Sequence, residues 1–213
     1  MQPETKTRIL DAAELLFAQH GLSDTSLRAI TDAASVNLAA VNYHFGTKEA
    51  LIHAVFARRL KPVNERRLAM LDEALLTKPG KTQLRGILRA FVLPLLETAF
   101  LPPQENCPVQ LGSLIIRLYT EPDEVVERSF NEQMASTAHR FMSALHQAVP
   151  HLKSETLYWR MSFCVGSLVH TMHASTILKV VSKGSINNPT AAQALEQMLP
   201  FLEAGLTAGS QPS

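Results

Sequence analysis

"VNLAAVNYHF", residues 36–45, is the stretch on which the reading of this chain turns. Val41 and Phe45 stand one helical turn apart and share a face, with Leu38 at its edge. The opposite face carries Ala39, Asn42 and Tyr43, flanked by Ala40 and His44. Surface helices usually put charged side chains there. Small, neutral and aromatic residues suit a helix whose outer side meets another surface at close range. Asn37 stands where a helix N-cap belongs, and Gly46 closes the segment.

The flanks complete a small unit. Upstream, "SLRAITDAA" reads as a short helix capped by Thr25 or Ser26, with Leu27 and Ile30 facing inward. Before it a helix runs from about residue 4 to His20, with Ile9, Ala13, Leu16 and Phe17 as its inner stripe and Gly21 as its end. Downstream, Thr47 caps a longer helix beginning "KEALIHAVFARRL", which Pro62 interrupts or bends and "TKPGKT" (77–82) ends. Three short helices joined by two tight turns match the helix-turn-helix, whose second member lies in the major groove of DNA. On that reading Leu38, Ala39 and Ala40 meet thymine methyl groups, and Asn42 bonds a base edge or a phosphate. Tyr43, His44, Thr25, Ser26 and Thr47 are neutral donors for phosphates, and Arg28 and Asn37 are counted with the same surface. Lys48 puts a cation at a helix start, where the macrodipole disfavours it, and a phosphate nearby would account for it.

Electrostatics neither supports nor opposes DNA. Residues 1–56 hold four Lys or Arg against six acids, and the whole chain of 213 residues carries +1. Only Arg58, Arg59, Lys61, Arg66 and Arg67 form a basic cluster. Placement therefore carries the argument, and net charge is silent.

After about residue 50 the helices lengthen and fill with Leu, Phe and Met. No sustained period-two alternation occurs, so the fold is read as all-α. "TQLRGILRAFVLPLLETAF" contains Pro94, expected to kink it, and "LPPQENCP" breaks it. A segment around "LGSLIIRLYT" follows, and Pro122 opens a helix to about Val149. The stretch 155–181 is apolar on two sides. Leu157, Tyr158, Met161, Cys164, Val165, Leu168, Val169 and Met172 make one stripe, and Trp159, Phe163, Ile177 and Val181 the other. One side can be core and the other needs a partner. The last helix, with Leu195, Met198, Leu199, Leu202 and Leu206, is expected to join it in a four-helix contact between two copies.

Other chemistries find little support. Cys107 and Cys164 give no disulfide framework, and "MQPETKTRIL" lacks a secretory pattern, so a reducing, cytoplasmic setting is expected. His170, His173 and Lys179 interrupt the longest oily run, which argues against a membrane span. His170 and His173 are spaced to grip a metal, but no carboxylate or Cys within a turn completes the set, so no metal is expected. Cys164 reads as core. No nucleophile triad, phosphate loop or carboxylate pair stands out; neither enzyme activity nor a cofactor is expected.

The segment "TRILDAAELLFAQHGLSDTSLRAITDAASVNLAAVNYHFGTKEALIHAVF" resembles the DNA-binding region of the TetR family of bacterial transcriptional regulators. The "ILDAA..LF...G" opening, the "TSLRAI" helix and the "YHFGTKEAL" close carry the likeness. "VNLAAVNYHFG", "PVNERRLAMLDEAL" and "LYWRMSFCVGSLVHTM" look like the PsrA-type branch, whose members sense fatty acids. Two positions depart from the family pattern: Ser35 replaces the usual turn glycine, and Asn42 sits where tyrosine is commoner. The resemblance implies a DNA-binding domain over 1–50 and a helical ligand-binding and dimerisation domain over 51–213. It implies a homodimeric repressor on a palindromic operator, modulated by a hydrophobic small molecule such as a fatty acid or acyl derivative. Phe91, Phe100, Leu114, Met134, Phe141, Met161, Phe163 and Met172 are the candidates to line that ligand's cavity. The competing reading is a small-molecule-binding helical carrier or scaffold that does not touch DNA.

Overall fold

The computed structural model describes residues 4–100, 114–115, 124–173, 175–187 and 189–209. Every regular element among them is helical. The break "LPPQENCP" with Cys107, most of "LGSLIIRLYT" and the helix start at Pro122 lie outside the described residues.

Helix α1 spans Thr5–His20 and buries Ile9, Ala13 and Phe17 completely. It stops at Gly21, whose φ of 94° is costly for any residue with a Cβ. Helix α2, Leu27–Ala34, starts at Ser26, whose hydroxyl accepts the Ala29 N–H at 3.0 Å. Helix α3 is Leu38–Phe45, and the Asn37 side chain accepts the Ala40 N–H at 2.9 Å. Both caps satisfy amides that the first helical turn leaves unpaired. Helix α1 packs on α2 and α3, and α2 packs on α3. Ile30 and Val41 close the small core among them.

Helix α4 runs Lys48–Leu75, with the Thr47 hydroxyl accepting the Ala50 N–H at 3.1 Å. It passes through Pro62 without ending, so the expected interruption is not there. Helix α5, Lys81–Ala99, likewise runs on through Pro94 and is buried along most of its length. Helices α6 (Glu124–Ala148), α7 (Ser154–His173), α8 (Ser175–Val181) and α9 (Ala191–Thr207) follow. Thr190 and Gln193 form a reciprocal capping box at the start of α9.

The chain divides into two compact units. The first is Met1–Pro62 with Leu101–Met134, and the second is Val63–Phe100 with Ala135–Ser213. In the second unit α5 packs along α9, and α7 contacts both. Leu84, Ile87, Leu88 and Phe91 from α5 are buried with Leu195, Leu199, Leu202 and Leu206 from α9. Each such side chain contributes about 1.5–3 kcal/mol by leaving water. Gly86 lets α5 approach α4 closely, because a Cβ there would sit 3.0 Å from the Cβ of Ala74. Arg85 of α5 also pairs with Glu203 of α9 at 2.8 Å.

The leucine stripe of α9 is therefore covered within its own chain. A contact between copies therefore cannot use that stripe, contrary to what was expected of it; the large apolar side chain that α9 leaves exposed is Phe201. In α7, Leu157, Met161, Cys164, Leu168 and Met172 are buried, whereas Tyr158, Trp159 and Phe163 are exposed. Burial raises the Cys164 thiol to about 11, which keeps it a core thiol. Among the described residues no helix is long and apolar enough to cross a membrane.

Candidate nucleic-acid interface

The outer face of α3 is built by subtraction. Val41 is its one buried residue, and Phe45 and Ala40 are half-buried. Leu38 is left 50% exposed and Tyr43 86%, beside exposed Ala39 and Asn42. Tyr43 and His44 touch edge-on, with ring centroids 5.1 Å apart. No residue from Leu38 to Phe45 carries a fixed charge. Such a surface offers methyl groups, one amide, one phenol and one imidazole, and small Ala39 lets the helix backbone come close to what it meets.

The turn before α3 has a specific construction. Ser35 adopts the left-handed conformation, φ 51° and ψ 50°. Its N–H bonds the Asp32 carbonyl at 3.1 Å, and the Val36 N–H bonds the Thr31 carbonyl at 3.0 Å, which is a Schellman closure of α2. Arg8 of α1 reaches across and donates from Nη2 to the carbonyls of Ala34 and Ser35, the latter at 2.7 Å. A lone arginine on a helix carries no sign of a carbonyl 26 residues away that it will cap.

The remaining sequence-predicted contacts separate into two groups. Ser26, Arg28, Asn37 and Thr47 are exposed, as α3 requires of its neighbours. Thr25 is not. It is 2% exposed, and its hydroxyl donates to the Gly21 carbonyl at 2.6 Å and the Leu16 carbonyl at 3.3 Å. This corrects its assignment to a phosphate: its donor is spent inside, holding the end of α1. Lys48 is half-buried and donates from Nζ to the Ser23 carbonyl at 3.1 Å. A protein acceptor thus accounts for the cation at this helix start without invoking phosphate.

Most of the basic cluster downstream is also engaged. Arg58 pairs with buried Glu14 and, at 2.7 Å, with Asp11, while Arg59 donates from Nε to Glu14 at 2.6 Å. Burial works against the Arg58 charge, but the bonds to Glu14 and Asp11 outweigh it and raise its pKa. Arg66 donates to Glu97 at 3.0 Å, and Arg67 is wholly buried. Within the first unit the pairs on Glu14 tie α4 to α1 and so fix the start of α4 beside the helix trio.

The candidate ligand residues fare unevenly. Leu114 and Met134 belong to the first unit, the other six to the second. Phe91 and Phe141 meet edge-to-face with centroids 5.4 Å apart, and Met161 and Met172 are buried in the same unit. Phe163 is 64% exposed and lines no interior, which removes it from the set. An open groove of about 890 Å³ lies among α7, α8 and α9, bordered by Phe100, Ser167, His170, Leu178, Met198 and Phe201. Of the eight candidates it includes Phe100 alone.

Comparison with known proteins adds to this geometry. Residues 89–205 match the family model described as tetracyclin repressor-like, C-terminal domain, and residues 9–55 match that of bacterial regulatory proteins, tetR family. The HTH-type transcriptional regulator SrpR of Pseudomonas putida is 30% identical over 151 residues, covering 70% of this chain and 61% of SrpR. The HTH-type transcriptional regulator UidR of Escherichia coli strain K12 is 36% identical over 69 residues, 32% of this chain and 33% of UidR. The chain thus spans about three-fifths and one-third of these relatives' lengths. A tetR-family protein from Shewanella sp. PV-4 superposes with TM-score 0.66 at 17% identity, covering 94% of this chain and 96% of that one. The fatty acid degradation regulator FadR from Bacillus halodurans superposes with TM-score 0.65 at 14% identity, covering 98% and 97%. At these identities the structural likeness is one of fold.

Proposed function

The chain belongs to the TetR family of bacterial regulatory proteins, and on that premise we propose that it is a homodimeric, ligand-responsive repressor acting on DNA in the cytoplasm. Residues 1–50 form the DNA-binding domain, and residues 51–213 the ligand-binding and dimerisation domain. Each α3 enters a major groove, with half-sites about one helical turn, ~34–36 Å, apart. Leu38, Ala39, Ala40 and Asn42 face base edges. Tyr43, His44, Ser26, Arg28, Asn37 and Thr47 face phosphates, with Lys48 beside them. The observation that carries this reading is the uncharged, exposed outer face of α3, held by an Asn37 cap and a fastened turn.

The effector is a hydrophobic small molecule, a fatty acid or acyl derivative in keeping with the PsrA-type resemblance. It favours a dimer whose recognition helices are wrongly spaced. By linkage, operator DNA then weakens effector binding to the same degree. Support comes from the buried aromatic and methionine side chains of the second unit, which suit a flexible chain.

The test uses DNA from upstream of the protein's own gene, titrated by fluorescence anisotropy at several salt concentrations. Several phosphate contacts per subunit predict a steeply negative slope of log K against log salt. Tyr43→Ala should weaken binding by about 1–3 kcal/mol and leave dimerisation intact. The carrier reading predicts no binding to this DNA at any salt.

A further inference from the structure

Arg67, on the part of α4 that belongs to the second unit, is the largest fully buried side chain among the described residues, with 0% exposure. Its Nε donates to the Phe91 carbonyl at 2.8 Å, and its guanidinium carbon lies 4.6 Å from the centre of the Phe91 ring. Nη1 and Nη2 are buried and have no hydrogen-bond partner among the described residues. Four N–H donors of a cation are thus out of water with nothing among the described residues to accept them. Native interiors leave few polar groups in that condition, and an unpaired buried charge is among the costliest. Burial pulls the Arg67 pKa down to about 9, with no described carboxylate to hold it up. Arg58 shows the contrast: it is partly buried too, but it faces Glu14 and Asp11.

We infer that Arg67 is the anchor for a carboxylate carried on an apolar body, its two oxygens received by Nη1 and Nη2. The planar guanidinium fork matches a carboxylate bidentately. Arg67 is the only cation among the buried polar side chains described, so it balances one negative charge, which a carboxylate carries and a phosphate dianion exceeds. The apolar body follows from the surroundings, since the ring against the guanidinium is Phe91 and the ring against that is Phe141. The inference rests on the proposed function only in treating the bound acid as the effector. The anion site stands on its own geometry. It also distinguishes a free acid from an acyl ester, which has no charge to offer.

The experiment takes the purified, delipidated full chain and titrates dodecanoate and 4-phenylbutanoate calorimetrically, each beside its methyl ester. At least one acid should bind tenfold or more tightly than its ester. Arg67→Met should lose tenfold or more for that acid, leave the ester unchanged, and melt no lower than the parent when empty. If the methionine variant does not fold, Arg67→Lys keeps the charge without the fork and should show an intermediate loss. Acid and ester binding alike, an acid preference that survives the substitution, or no binding of either acid would overturn the inference; the last would mean that water satisfies the guanidinium. Operator binding is measured on the same samples. Operator binding without acid preference sinks this inference alone, and acid preference without operator binding sinks the regulatory reading alone.

Discussion

Ser35 occupies a conformation that L-residues with a Cβ avoid, at a cost of roughly 1–2 kcal/mol. The turn tolerates it because the two Schellman bonds and Arg8 hold the backbone there. Ser35→Gly removes the Cβ penalty but loosens the unfolded chain, which returns about 0.5–1 kcal/mol. The net expectation is a gain of up to about 1 kcal/mol, read as a higher midpoint in urea, with DNA affinity unchanged. A lower midpoint would mean that the serine hydroxyl contributes more than the geometry costs. Legibility differed from residue to residue. Ser35 was visible in the sequence because it stands where family members have glycine. Thr25 and Ser26 were equally good caps by residue type, and what separates them is the direction of a side chain: Ser26 turns to the Ala29 amide, while Thr25 turns to the Gly21 carbonyl. Arg8 gives no signal and Arg67 only that of a basic cluster, since their partners lie 26 and 24 residues away and a sequence pattern does not show such pairs.

Helices were legible at the level of elements because apolar spacing, caps and glycines agree with one another over most of the chain. Asn37 and Gly46 bound α3 as their chemistry dictates. Proline was the weak sign. Pro62 reads as an interruption or a bend, and α4 continues through it, which excludes the interruption. A proline inside a helix removes one N–H, here the one due to the Arg58 carbonyl, and costs about 3 kcal/mol relative to alanine. The helix withstands this because Leu60 and Val63, on either side, are both buried in cores that hold the backbone helical. Pro62→Ala should therefore raise stability by about 1–3 kcal/mol, seen as a higher urea midpoint without a change in helix content by circular dichroism. An unchanged midpoint would show that the backbone around Pro62 has already relaxed away the strain.

Two apolar faces on α7 were legible from spacing at the scale of the whole molecule, but what covers each was not. Periodicity says that a face is out of water and is silent about which helix lies over it. The face with Leu157, Cys164 and Leu168 meets its own chain, and α9 spends its leucines on α5. Trp159 and Phe163 remain on the other side, one turn apart, with ring centroids separated by 6.1 Å and both largely in contact with water. Two adjacent aromatic side chains of this size form the kind of surface that monomers rarely leave open, and Phe201 on α9 is exposed as well. The proposed dimer uses them. An isologous contact presents each residue twice, so a charge placed at Phe163 is buried as two like charges across one interface. Phe163→Glu should shift the protein from dimer to monomer in sedimentation equilibrium at micromolar concentration. Its melting temperature at high dilution should stay near that of the parent, because Phe163 takes no part in the monomer's core. Operator affinity should fall steeply in the same variant, since two half-sites are then no longer held by one body. A variant that stays dimeric would place the interface on another face. A monomeric variant that keeps full operator affinity would instead show that one recognition helix suffices.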